Sequence, residues 1–120
     1  MKIVPFLSFL DQLRVFHWQT RSYAEHKALG KAYDSLSELF DKFVETYYGK
    51  YGKSIITADY VISVESYGEK DIKKEIGSKK RALVSYLKNE LLNDSDSDLK
   101  NIVDEIEAEI NHLQYLLDLK

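Results

Sequence analysis

Residues 22–48 read SYAEHKALGKAYDSLSELFDKFVETYY, and the apolar positions in that stretch decide the fold class. Leu29, Ala32, Tyr33, Leu36, Leu39, Phe40, Phe43 and Tyr47 recur at steps of three and four, which places them along one side of an α-helix. Ser22 and Glu25 stand three residues apart in front of this run. That is the spacing of a capping box, in which the serine hydroxyl takes the Glu25 N–H and the Glu25 carboxylate reaches back to the cap. Gly49 follows Tyr48 and suits the position just past a helix, where a left-handed backbone ends the run. The expected helix spans 22–48.

Three further amphipathic segments flank it. Upstream, Phe6, Phe9, Leu10, Leu13, Phe16 and His17 share one face of a helix expected over 5–19, with Pro5 at a first position where its missing N–H costs nothing. Downstream, Ile72, Ile76, Leu83, Tyr86, Leu87 and Leu91 mark a helix over 69–92, weakened at Gly77 by about 1 kcal/mol relative to alanine. After the turn Asn93-Asp94-Ser95, a stripe of Leu99, Ile102, Val103, Ile106, Ile110, Leu113 and Leu117 marks a fourth over 96–119. The connection from Lys50 to Gly68 contains β-prone residues between Ser54 and Ile62. One short strand has no partner there, so the segment is expected to cross over with about one helical turn. Together these features predict a single all-α domain over 1–120, an antiparallel four-helix bundle with a crossover between helices two and three.

Composition narrows the chemistry. The 120 residues include no cysteine and one proline, which excludes disulfides, zinc–thiolate sites and cysteine nucleophiles. A net charge of −3 argues against nonspecific nucleic-acid binding, which rests on neutralising phosphates. The apolar start from Ile3 to Leu10 is followed at once by Asp11, Gln12 and Arg14 without a small-residue cleavage site. No apolar run approaches the ~20 residues that span a bilayer, and the expected location is cytoplasmic. The cluster Lys70, Lys73, Lys74, Lys79, Lys80 and Arg81 is interleaved with Glu69, Asp71 and Glu75 and reads as a solvated, salt-bridged face.

The candidate metal ligands are therefore histidines and carboxylates. His17 lies on the apolar face of helix one, where a core role competes with ligation. On helix two, Tyr23, His26, Gly30, Asp34, Asp41, Glu45 and Tyr48 fall along one flank. Asp41 and Glu45 are one i, i+4 step apart, so two like charges stand side by side, at a cost that a cation would relieve. On helix four, Glu109-x-x-His112 has the spacing used in carboxylate-bridged di-iron bundles, but a second such motif is absent.

His17-Trp18, then Ser22-Tyr23-x-x-His26, then Asp41-x-x-x-Glu45 resembles the ferroxidase segment of the Dps proteins, the mini-ferritins. The resemblance implies a ferritin-like bundle and a homo-oligomer, at least a two-fold dimer, with an iron site between subunits. His17 and His26 would then come from one chain and Asp41 and Glu45 from the other. Residues 60–65 and 112–117 are similar to that family's crossover and closing helix. Gly30 stands where the family has a carboxylate, the loop between the two histidines is shorter, and a lysine-rich tail is missing, so DNA coating is not implied. The same segment is also similar to small proteins encoded by tailed phages. Two functions follow as expectations. One is Fe²⁺ binding with ferroxidase activity at His17, His26, Asp41 and Glu45. The other is a non-enzymatic helical oligomer, such as a viral accessory or structural protein, that binds a protein or small ligand through the same flank.

Overall fold

The computed structural model describes residues 3–52, 59–68 and 71–119. Four helices account for most of them: α1 over Val4–Gln19, α2 over Tyr23–Tyr51, α3 over Ile72–Ser85 and α4 over Ser97–Asp118. There is no strand among the described residues, and none of the described helices is long and apolar enough to cross a membrane. α2 packs against α1 and α4, and α3 packs against α4 and α1. The four stripes meet in one core, where Phe16, Leu29, Leu36, Phe43, Leu99, Val103, Ile106 and Ile110 are fully enclosed. Phe6 of α1 meets Phe40 and Phe43 of α2 with ring centroids 4.9 and 5.2 Å apart. Edge-on and tilted aromatic pairs of this kind add to the area they bury.

The ends of the helices depart from expectation for local reasons. α2 continues through Gly49 to Tyr51, and Gly52 supplies the left-handed turn, at φ 61°. Gly49 is thus inside the helix, because the Tyr47–Tyr51 ring contact at 4.7 Å extends the packed face one more turn. The capping box at the start of α2 is half formed. Ser22 Oγ accepts from the Glu25 N–H at 3.2 Å, but the Glu25 carboxylate accepts from Thr20 and Tyr67 hydroxyls, both at 2.7 Å.

α3 begins at Ile72, with Asp71 accepting the Lys74 N–H; residues 69–70 of the expected helix lie outside the described residues. A π-helical segment, Tyr86–Leu91, follows α3 directly and closes with a Leu92 N–H to Leu87 carbonyl bond of 3.1 Å. Gly77 sits where an added Cβ would be 2.8 Å from the Gln114 amide; the glycine lets α3 and α4 approach there. Residues 59–67 carry no helix and no strand, while the part of the expected crossover at 53–58 lies outside the described residues. Within the basic cluster, Lys73 pairs with Asp118 at 3.0 Å and Lys79 with Glu65 at 3.8 Å, while Lys80 donates to the Asn111 side-chain amide at 2.8 Å.

Candidate functional site

Only Thr20, Arg21 and Ser22 separate α1 from α2, so the last turn of one helix must lie beside the first turn of the next. That brings His17 and His26 together. Their rings stack with centroids 3.8 Å apart and planes 14° from parallel. The contact is reciprocal: His17 Nδ1 lies 2.6 Å from the His26 carbonyl, and His26 Nδ1 lies 2.9 Å from the His17 carbonyl. A carbonyl can only accept, so each Nδ1 carries the hydrogen, which in a neutral ring leaves the lone pair on Nε2. The two histidines thus clasp the α1–α2 corner.

Gly30, one turn beyond His26, makes the clasp possible. A Cβ there would lie 2.8 Å from His17 Cε1 and 3.1 Å from its Nδ1, closer than carbon atoms pack. The space beside Gly30 is therefore taken up by the His17 ring. Beside it, Arg14, Trp18, Tyr33 and Asp34 border an open cleft of about 340 Å³. The Arg14 guanidinium lies over both the Trp18 and Tyr33 rings, at 5.2 and 5.1 Å. Trp18 is 66% exposed and Tyr23 74% exposed, so two large aromatic surfaces flank the clasp in solvent.

Asp41 and Glu45 are exposed on the outer side of α2. They are 15 and 19 residues beyond His26, about 22 and 28 Å along the helix at 1.5 Å per residue. One chain cannot bring all four expected ligands together. Nor do the two histidines converge: in-plane lone pairs of two near-parallel rings 3.8 Å apart do not meet at one ion. Among the described residues no three histidine, aspartate or glutamate side chains are grouped to hold a metal, and the residues present do not fit an iron centre within one chain. Glu109 is half-buried and His112 exposed on α4, with the His112 ring 6.2 Å from Tyr115.

Three polar side chains that the sequence did not single out hold the frame of this end and of the opposite one. Gln12, 4% exposed, donates to the Glu65 carbonyl and accepts from the Glu65 N–H, both at 2.8 Å. It satisfies both backbone groups of Glu65, as a neighbouring strand would. Tyr67 N–H donates to the Gln19 amide oxygen at 2.6 Å, and the Glu25 carboxylate accepting its hydroxyl, aided by burial, raises the Tyr67 pKa. At the far end Asp96 is buried. It pairs with Lys50 at 2.7 Å, accepts from the Tyr51 hydroxyl, and accepts the Asn93 N–H at 3.0 Å. The Lys50 and Tyr51 hydrogen bonds hold its carboxyl at about 2, well below the usual carboxylate range, and Asp96 in turn raises Lys50.

The chain matches a family of unknown function, DUF5856, over residues 17–117, and it belongs to that family. No curated protein and no solved structure matches it.

Proposed function

We propose that this family member is a non-catalytic helical bundle that works as a self-associating binding protein, with the outer face of α2 as the contact between two copies. The observation that carries the reading is the order of charge along that face. Lys27 and Lys31 stand in its first half and Asp41 and Glu45 in its second, all exposed. An isologous contact turns a patch onto its own copy. With the two-fold axis at the level of Leu36, Lys27 meets the partner's Glu45 and Lys31 meets the partner's Asp41. Tyr23 then comes opposite the partner's Gly49, where no side chain stands and nothing lies within 4 Å of an added Cβ. Exposed pairs contribute little singly but set register and partner choice.

Within each copy the helices run antiparallel in this reading, with the α2–α3 connection as the crossover of a ferritin-like bundle. The pairing of Lys42 with Glu105 at 3.4 Å and of Lys50 with Asp98 at 3.1 Å supports the α2–α4 part of it, since numbers rise on one helix as they fall on the other. A cysteine-free chain suits the reducing cytoplasm.

Analytical ultracentrifugation tests the contact. Lys31→Glu and Asp41→Lys should each weaken the dimer, and the double variant should restore it. Singles that associate like the wild type, or a double variant that stays monomeric, would refute the register.

A second reading is favoured by one feature of the same register: His26 lies next to the partner's Glu45. Fe²⁺ could then be held between chains by His26 Nε2 and the partner's Asp41 and Glu45. His17 would be the positioning residue that fixes the His26 tautomer and ring through the clasp. Anaerobic Fe²⁺ titration of the dimer decides it: His26→Ala should lose the metal and keep the dimer. Uptake unchanged by that substitution would dispose of this second reading.

A further inference from the structure

A cleft of about 300 Å³ lies between α1 and α3, away from the clasp and from the outer face of α2. Phe9 and Leu83, both buried in the core, form its floor; Pro5, Ser8 and Ala82 form its sides, and Lys79 stands at its rim. Lys79 is the one residue of its lining that carries a full charge. We propose that this cleft binds a medium-chain carboxylate, with the alkyl chain along the apolar floor and the carboxylate on Lys79 Nζ.

Three independent features support it. First, the walls are preformed. The Gln12 amide fixes the backbone of Glu65 through two 2.8 Å bonds, and Ser63, two residues before, borders the cleft. Little ordering is therefore left for a ligand to bring about, which is what favours binding in a small site. Second, the α-helix is broken here. The N–H of Tyr86, which lines the cleft, bonds the carbonyls of both Ala82 and Leu83, and the π-helical turn starts at Tyr86. π-turns of this kind are frequent at functional sites. Third, the cation at the rim is only loosely engaged. Its ion pair with Glu65 is 3.8 Å long, and both side chains are partly exposed, 32% and 51%, so an incoming carboxylate can replace Glu65. The volume, about 300 Å³, stands at the small end of the range for ligand sites.

The charge arrangement predicts effects of opposite sign. Octanoate is titrated into the ¹⁵N-labelled full chain and followed by amide shifts, with octanol as the uncharged comparison. Octanoate should move the amides of Ser8, Phe9, Ala82 and Leu83 in a saturable way. Lys79→Gln should weaken octanoate about tenfold, the low end for a hydrogen bond to a charged group, and leave octanol within about twofold of its value. Glu65→Gln should strengthen octanoate, because it removes the competing carboxylate while the Gln12 bonds, which use the Glu65 backbone, persist. Shifts scattered over the surface would overturn the proposal, and so would octanoate affinity indifferent to Lys79→Gln.

Discussion

Gly30→Ala is the substitution whose sign separates a structural clasp from an idle ring contact. By helix propensity alone it should stabilise α2 by about 1 kcal/mol, since glycine in a helix interior is that much worse than alanine. The new Cβ, however, would stand 2.8 Å from His17 Cε1 and 3.1 Å from Nδ1, so the ring must leave. Leaving breaks the 2.6 Å bond to the His26 carbonyl, about 1 kcal/mol, and the 3.8 Å stack, roughly another 0.5–1.5 kcal/mol by analogy with other ring pairs. The net expectation is a loss of roughly 1 kcal/mol. In a His17→Ala background no ring is in the way, and the same Gly30→Ala change should stabilise by about 1 kcal/mol. The cycle therefore predicts a coupling of about 2 kcal/mol between positions 17 and 30, read from urea unfolding followed by circular dichroism at 222 nm. If Gly30→Ala stabilises both backgrounds equally, the clasp contributes nothing and the reasoning fails.

Asp96→Asn should destabilise the fold by roughly 1.5–3 kcal/mol, the range for a lost hydrogen bond to a charged group, as measured by thermal melts at neutral pH. Because the folded carboxyl of Asp96 is held at about 2, below its unfolded value near 3.9, its contribution is complete above about pH 4 and disappears as pH falls toward 2; the Asp96→Asn variant should lack that component of acid sensitivity. Gln12→Leu should cost about 1–3 kcal/mol, because it leaves the Glu65 N–H and carbonyl without their buried partner, and hydrogen exchange should show the Glu65 amide losing protection first. Ile106→Ala, at a fully enclosed position, should cost roughly 2–5 kcal/mol from lost burial and the remaining cavity. A cost under about 1 kcal/mol by chemical denaturation would mean that α4 is not the core element described.

The four helices were legible because their stripes obey one period and bury one face. Leu29, Leu36 and Phe43, and Leu99, Val103, Ile106 and Ile110, occupy the interior that their spacing implies. Helix ends were less legible, because long-range contacts set them: Tyr51 extends α2 past Gly49 to meet Asp96, and nothing near Tyr86 announces a π-turn. The Ser22 cap could be read locally, but Glu25 answers to Thr20 and to Tyr67, 42 residues away. Of the candidate site, the nearness of His17 and His26 followed from a three-residue turn. Their reciprocal carbonyl bonds did not, because tautomer and ring orientation depend on backbone placement and on the open space at Gly30. Gln12 escaped notice since a lone polar residue within an apolar pattern looks the same whether it faces solvent or a buried backbone; the signal was its place between Phe9 and Leu13 on the inward side. Asp96 escaped notice because it is one of six consecutive polar residues, Asn93 to Asp98, and only long-range contacts with Lys50 and Tyr51 mark it out.

The central claim is that α2 meets its own copy in antiparallel register about Leu36, and the chain has no native cysteine, so one introduced at Ala24 carries a single spin label per copy. Ala24 is exposed and lies 12 positions before Leu36. The two labelled backbones should be about 36 Å apart along the helices and about 37 Å overall, for helices packed 8–10 Å apart. Pulsed electron–electron resonance should give a distribution centred within a few ångströms of that distance, which vanishes on combining the label with Lys31→Glu. A dipolar signal near 10 Å, as parallel helices would give, or none at concentrations where ultracentrifugation shows dimer, would contradict the account.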